Sequence, residues 1–108
     1  MTIEKAQIIF NGINSTKLIK LKNELFETAI RYSRIRTDWC FMADDEKRNK
    51  EELRTRTHNS LIDSCNILSR EMIKVDEDTT WRDELGNNRK EIGDFACYIN
   101  LILGIRAR

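Results

Sequence analysis

His58 is the only histidine of the 108-residue chain, and proton-transfer chemistry would begin there, because an unperturbed imidazole changes charge near neutral pH. General-base work also needs a carboxylate to orient the ring and a nucleophile for it to serve. Asp63 does not fill the first role. Five residues along a helix turn through about 140°, which places Asp63 on another face with Arg56, Asn59 and Arg70. There is no second histidine and no acid three or four residues away on the same face, so neither a metal site nor a base–orienter pair is completed. Cys40, Cys65 and Cys97 stand far apart, without CxxC or Cys/His spacing, and their odd number argues against a disulfide framework. The expectation is no enzyme, no metal and no cofactor. His58 then reads as a hydrogen-bonded residue at the edge of a core, and the cysteines read as reduced thiols acting as small hydrophobes.

Arginine is the residue type whose placement asks for a reason. At 100° per residue, Arg36 falls in line with Leu18 and Leu25, and Arg54 in line with Leu61, Cys65 and Met72. Both interrupt apolar faces. An antiparallel hairpin turning near residue 46 puts Arg36 level with Arg56 and close to Arg54 and His58. A second fold-back near residue 81 would bring Ile105, Arg106 and Arg108 to the same end. On this reading Arg36, Arg54, Arg56, His58, Arg106 and Arg108 converge, at a cost in energy unless they are neutralised. The chain offers Asp44, Asp45, Glu46, Glu51 and Glu52 for that purpose; the alternative is an anion such as phosphate. The same fold-back sets Arg70 opposite Asp94 or Glu91, a structural ion pair that would fix the register of the hairpin.

These residues need long helices to position them. The chain has no proline and four glycines, so nothing forbids uninterrupted helices and an all-α fold is expected. A short amphipathic start ends at Gly12. After Asn14 or Ser15, Leu18, Leu21, Leu25, Thr28, Tyr32, Ile35, Trp39 and Met42 recur at steps of three and four, predicting a helix over about 15–43, some 43 Å long. The stretch ADDEKRNKEE supplies a break and then acidic residues suited to the start of a second helix, whose face is Leu53, Thr57, Leu61, Cys65, Leu68, Met72 and Val75. A capped turn with a short helical piece follows, and a third long helix starts near Asn88. That last helix carries Ile92, Phe95, Ala96, Ile99 and Leu103 on one side but Tyr98, Leu101 and Ile105 on the other. A helix apolar on both sides is either central or covered by another molecule. The expected architecture is an up-and-down helical bundle, with three long helices plus a short N-terminal helix forming a single domain over 1–108.

Composition excludes the extremes. The 19 Lys and Arg residues against 18 Asp and Glu give a net charge of +1, and 40% of residues are hydrophobic. No overall field commits the chain to nucleic acid or an anionic membrane. No eighteen-residue apolar run suggests a membrane span, and acid and base interrupt what would have to be a signal core, so a cytoplasmic protein is expected. Lys20, Arg31 and Arg34 could form a basic stripe, but nucleic acid is only weakly supported as a partner, since the neighbouring helix is acidic.

The strings RTRTHNSLIDSCNILSRE (54–71) and RKEIGDFACYINLILGIRAR (89–108) resemble a family of small bacterial helical proteins known only as a domain of unknown function. That resemblance implies a bacterial cytoplasmic helical protein and no particular activity. The expected function is therefore non-enzymatic: a protein-interaction or self-assembling bundle, with an unknown protein partner or a homodimer formed through Tyr98, Leu101 and Ile105. The alternative is a helical module that binds an anionic ligand or nucleic acid through the arginine cluster.

Overall fold

Five α-helices, and no strands, occur among the described residues. They are α1 (Ile3–Asn11), α2 (Thr16–Cys40), α3 (Asp44–Lys74), α4 (Thr80–Leu85) and α5 (Arg89–Arg106). The computed structural model describes residues 2–106, with side chains from Thr2 to Leu103. Short polar side chains start three of the helices. Thr2 Oγ1 accepts from Lys5 N–H at 3.2 Å, Ser15 Oγ from Leu18 N–H at 3.1 Å, and Asn88 Oδ1 from Lys90 N–H at 2.8 Å. The long α3 lacks a capping side chain but places Asp44, Asp45 and Glu46 in its first turn, where negative charge meets the positive end of the helix dipole. At its other end Glu77 N–H donates to Met72 C=O and Asp76 N–H to Ile73 C=O, a Schellman closure. It puts Asp76 at φ 58°, a conformation that Asp tolerates better than most residues.

With 31 residues, α3 extends about 46 Å at 1.5 Å per residue and accounts for the 47 Å long dimension of the molecule. Antiparallel to it lies α2. Lys17 pairs with Glu71, Tyr32 meets His58, and Trp39 meets Arg54, so one helix's numbers rise as the other's fall. The hairpin turn, residues 41–43, comes a few residues before the expected position near 46, which lies in the first turn of α3.

The third long helix departs from expectation. The chain reverses at the Schellman turn, and α4 carries it back along α3, where Arg82 Nε donates to Asn66 Oδ1 at 2.7 Å. Arg82 then clamps the next bend, donating to Gly86 C=O at 2.8 Å and to Asn87 Oδ1 at 2.6 Å. Gly86 itself sits at φ 64°, ψ −156°, a region open essentially to glycine alone. As a result α5 begins at the hairpin end, with Arg89 against Glu51 and Thr55. It runs back along α2, meeting Arg36 with Asp94 and Ser33 with Cys97 and Asn100. It therefore points the same way as α3, and strict up-and-down alternation is not observed.

The aromatic part of the core gathers around α1. Phe10 of α1 is fully buried and meets three aromatic rings: Phe26 at 5.4 Å, Trp81 at 5.8 Å and Phe95 at 6.0 Å between centroids. Edge-on aromatic contacts of this kind add to the gain from burying area. Leu18, Leu25 and Tyr32 of α2 are buried as the spacing predicts, but Phe26, Ala29 and Ser33 are buried too, whereas Leu21, Thr28, Ile35 and Met42 are only partly covered. The reason is that α2 packs against both α3 and α5, which swings its buried stripe away from the single-seam solution. Among the described residues, no helix is long and apolar enough to cross a membrane.

Candidate functional site

The residues singled out for chemistry gather, in part, along α2 and α3 near the hairpin end. Arg36 is about one-third exposed and lies across Gly93 of α5, with its Nη1 3.7 Å from Asp94 Oδ1. A methyl group added at Gly93 would stand 2.5 Å from Arg36 Cζ, so the guanidinium would have to move aside to admit it. Arg54 instead stacks its guanidinium over Trp39, 4.6 Å from the ring centroid, and reaches Glu51 at 3.8 Å. Arg56 is exposed and pairs with Glu52 at 3.8 Å. Glu51 also receives Arg89 at 3.2 Å. Carboxylates of the chain thus face each of Arg36, Arg54 and Arg56, but Arg36 and Arg54 turn to different helices instead of lying side by side.

Between them lies a buried polar seam. His58 is 6% exposed and stands edge-on to Tyr32 at 5.5 Å between centroids. Its Nδ1 is 3.3 Å from Asn59 Oδ1; with that oxygen as acceptor, Nδ1 carries the proton and Nε2 is left as an acceptor. Tyr32 Oη, His58 Nε2 and Arg54 Nε are all buried without a hydrogen-bond partner. On the α5 side of the seam, Asn100 Nδ2 donates to Ser33 Oγ at 2.9 Å, and Cys97 Sγ lies 3.9 Å from the same oxygen.

Three expectations need correction. Arg70 is exposed and makes no ion pair among the described residues. Asp94 pairs with Arg36 and with Lys90, the latter at 3.0 Å, and Glu91 is exposed. The cause is the direction of α5: its acids meet α2, not the far half of α3. For the same reason α5 leads away from Arg36 and Arg54, so its carboxy-terminal end does not join the arginine cluster. The side chains of Ile105 and Arg106, and all of Arg108, lie outside the described residues. Finally, Cys40 is exposed rather than a core residue. Cys65 is fully buried, and burial pushes its thiol up to about 12, which leaves it inert as a nucleophile at neutral pH.

Of the face assigned to self-association, Leu101 is 56% exposed and Tyr98 is half-buried. No group of three or more His, Cys, Asp or Glu side chains able to hold a metal ion occurs among the described residues. What spacing missed was the role of Gly93, whose only signal was a glycine inside an otherwise helical pattern, and the pairing of Ser33 with Asn100. Compared with protein-family models, curated proteins and solved structures, the chain matches none of them.

Proposed function

We propose that this chain is a non-enzymatic interaction protein, a bundle that acts by binding another protein or a second copy of itself through the outer face of α5. The observation that carries this reading is Leu101, 56% exposed beside the half-buried Tyr98 on a helix whose other side is packed against α2 and α1. Exposed large apolar groups that continue one helical stripe mark contact surfaces, and a symmetric pairing of α5 with α5 is the simplest cover for it. The resemblance of residues 54–71 and 89–108 to small bacterial helical proteins supports a bacterial cytoplasmic setting. Light scattering at micromolar concentration should give about twice the 12.8 kDa chain mass, and Leu101→Ser should return the species to monomer. A monomer for the unaltered chain rejects the homodimer.

A second reading, an anion or nucleic-acid module built on Arg36, Arg54, Arg56 and His58, draws on the three unpartnered buried atoms of the seam. The carboxylates already facing those arginines weigh against it. A bound anion would raise the melting temperature by mass action. Melting unchanged up to about 50 mM phosphate at constant ionic strength would reject this reading.

A further inference from the structure

A second surface, between α1 and the turn after α3, has a composition that selects a partner. Between α1 and the turn joining α3 to α4 runs a groove of about 350 Å³, with apolar lining from Ile8, Ile9, Met72 and Trp81. Ile8 is 75% exposed. Trp81 is buried, and its indole N–H has no acceptor. The Schellman closure of α3 usually sets an apolar residue over the last turn at the position Glu77 occupies. Here a carboxylate stands on the lip of the groove in its place, next to Asp78. Asp76 and Glu77 are exposed and make no ion pair among the described residues. Lys5, the cation lining the groove among the described residues, pairs with Glu84 and also faces Asp78, whose Oδ1 accepts from Thr80 N–H at 2.9 Å, so the unspent charge of the rim is that of Glu77.

An apolar slot with unspent negative charge on its rim is complementary to an amphipathic helix whose polar face is basic. We propose that this groove is a docking site for a cationic amphipathic helix of a partner protein, anchored by apolar side chains spaced one turn apart. The proposal rests on the reading of the chain as an interaction protein but uses a different face from α5. The volume is at the small end for ligand pockets, about 300–1,000 Å³, which suits one or two anchoring side chains rather than a cofactor. With a net charge of +1, the chain as a whole offers a basic peptide no general attraction, so any binding must come from the local acidic rim.

The test uses the full chain and two fluorescent synthetic peptides of about four helical turns. One has leucines at the i, i+3, i+4 and i+7 positions and lysines elsewhere, and the other has glutamates in place of the lysines. At about 0.15 M salt, anisotropy should show the lysine peptide binding in the micromolar range and the glutamate peptide at least about tenfold more weakly. Ile8→Ser and Glu77→Lys, on opposite walls, should each weaken the lysine peptide about tenfold or more, while Leu101→Ser leaves it unchanged. The two groove variants lie on separate elements, so a local defect in α1 alone cannot produce both losses. No binding at about 100 µM, equal binding of both peptides, or loss on Leu101→Ser alone would overturn the groove. If Ile8→Ser and Glu77→Lys break a dimer seen without peptide, the occupant is a second copy and the partner proposal fails. Because the α5 pairing is read from the Leu101 variant and the groove from the other two, either can fail while the other stands.

Discussion

The two ends of the bundle solve opposite problems. At the hairpin end, polar side chains enter the interior: Tyr32, His58, Ser33 and the stems of Arg36 and Arg54 fill space between helices, and Asp94, Glu51 and Glu52 answer the charges. At the other end the interior is aromatic, built on Phe10, Phe26, Phe95 and Trp81; large apolar side chains are exposed at both ends, Ile8, Ile73 and Val75 here and Phe41 at the hairpin turn. The contrast is one of interior chemistry. Buried aromatic area is worth several kcal/mol per side chain, whereas half-exposed ion pairs contribute about 0 to 1 kcal/mol each. Folding free energy should therefore be concentrated at the aromatic end, with the polar end specifying how α5 sits on α2.

The sharpest way to break this contrast is Phe10→Ala. Phe10 is the one side chain that holds α1 to Phe26, Trp81 and Phe95 together, and large-to-small changes of buried aromatics cost about 3–5 kcal/mol. A loss of that size is expected in urea unfolding, with α1 detached. A loss below about 1 kcal/mol would mean that the aromatic end does not dominate.

Arg82 should come next. Its three hydrogen bonds, to Asn66, Gly86 C=O and Asn87, tie α3, α4 and the entry to α5 at a single point. Hydrogen bonds of a charged group contribute about 1.5–3 kcal/mol, so Arg82→Ala should cost about 2–3 kcal/mol. Arg82→Lys should recover little, because a single ammonium lacks the guanidinium's fork. Full recovery by Lys would show that charge, not direction, matters at this bend.

A smaller effect is expected from Glu71, which joins the start of α2 to the end of α3. Lys17 and Lys74 each approach it at 2.9 Å, and their hydrogen bonds hold its carboxyl below the ordinary value. A depressed carboxylate contributes stability above its unfolded value of about 4.3, and that contribution disappears as pH falls through the lower folded value. Glu71→Gln should therefore lower the urea midpoint at pH 7 and leave a shallower decline between about pH 5 and 3. Parallel acid profiles for the two proteins would reject the assignment.

How much of this was legible in the sequence follows from what each feature depends on. The α2–α3 hairpin rests on spacing within two adjacent helices, and the level of Trp39 against Arg54 follows from counting residues on either side of the turn. The path of α5 does not. It depends on Gly86 accepting a conformation closed to other residues and on Arg82 reaching Asn66, neither of which has a periodic signature. Once α5 is reversed, Asp94 faces Arg36 instead of Arg70, so the expected ion pair fails with the direction of the helix that carries it. Gly93 was visible only as a helix-weakening residue, and its purpose requires knowing that a guanidinium lies across it. The apolar groove was hidden for a similar reason: Ile8 and Trp81 are far apart in sequence and meet only because α4 folds back.

The finest test lies in the polar seam. Tyr32 is completely buried, yet its hydroxyl has no partner, and Nε2 of His58, whose ring packs against Tyr32, has none either. The ring earns its place by packing against His58, but the hydroxyl has given up its bonds to water with nothing in return. Removing a buried polar atom that makes no hydrogen bond is neutral or stabilising, whereas removing one that does costs about 0.5–1.5 kcal/mol. Tyr32→Phe should thus leave stability within about 0.5 kcal/mol of the unaltered chain, or raise it. His58→Phe, which also removes Nδ1 from Asn59, should cost more. If Tyr32→Phe instead destabilises by more than 1 kcal/mol or so, the hydroxyl and His58 Nε2 do bond in solution. The hairpin end would then carry a buried tyrosine–histidine pair, and the division of labour between the two ends would have to be redrawn.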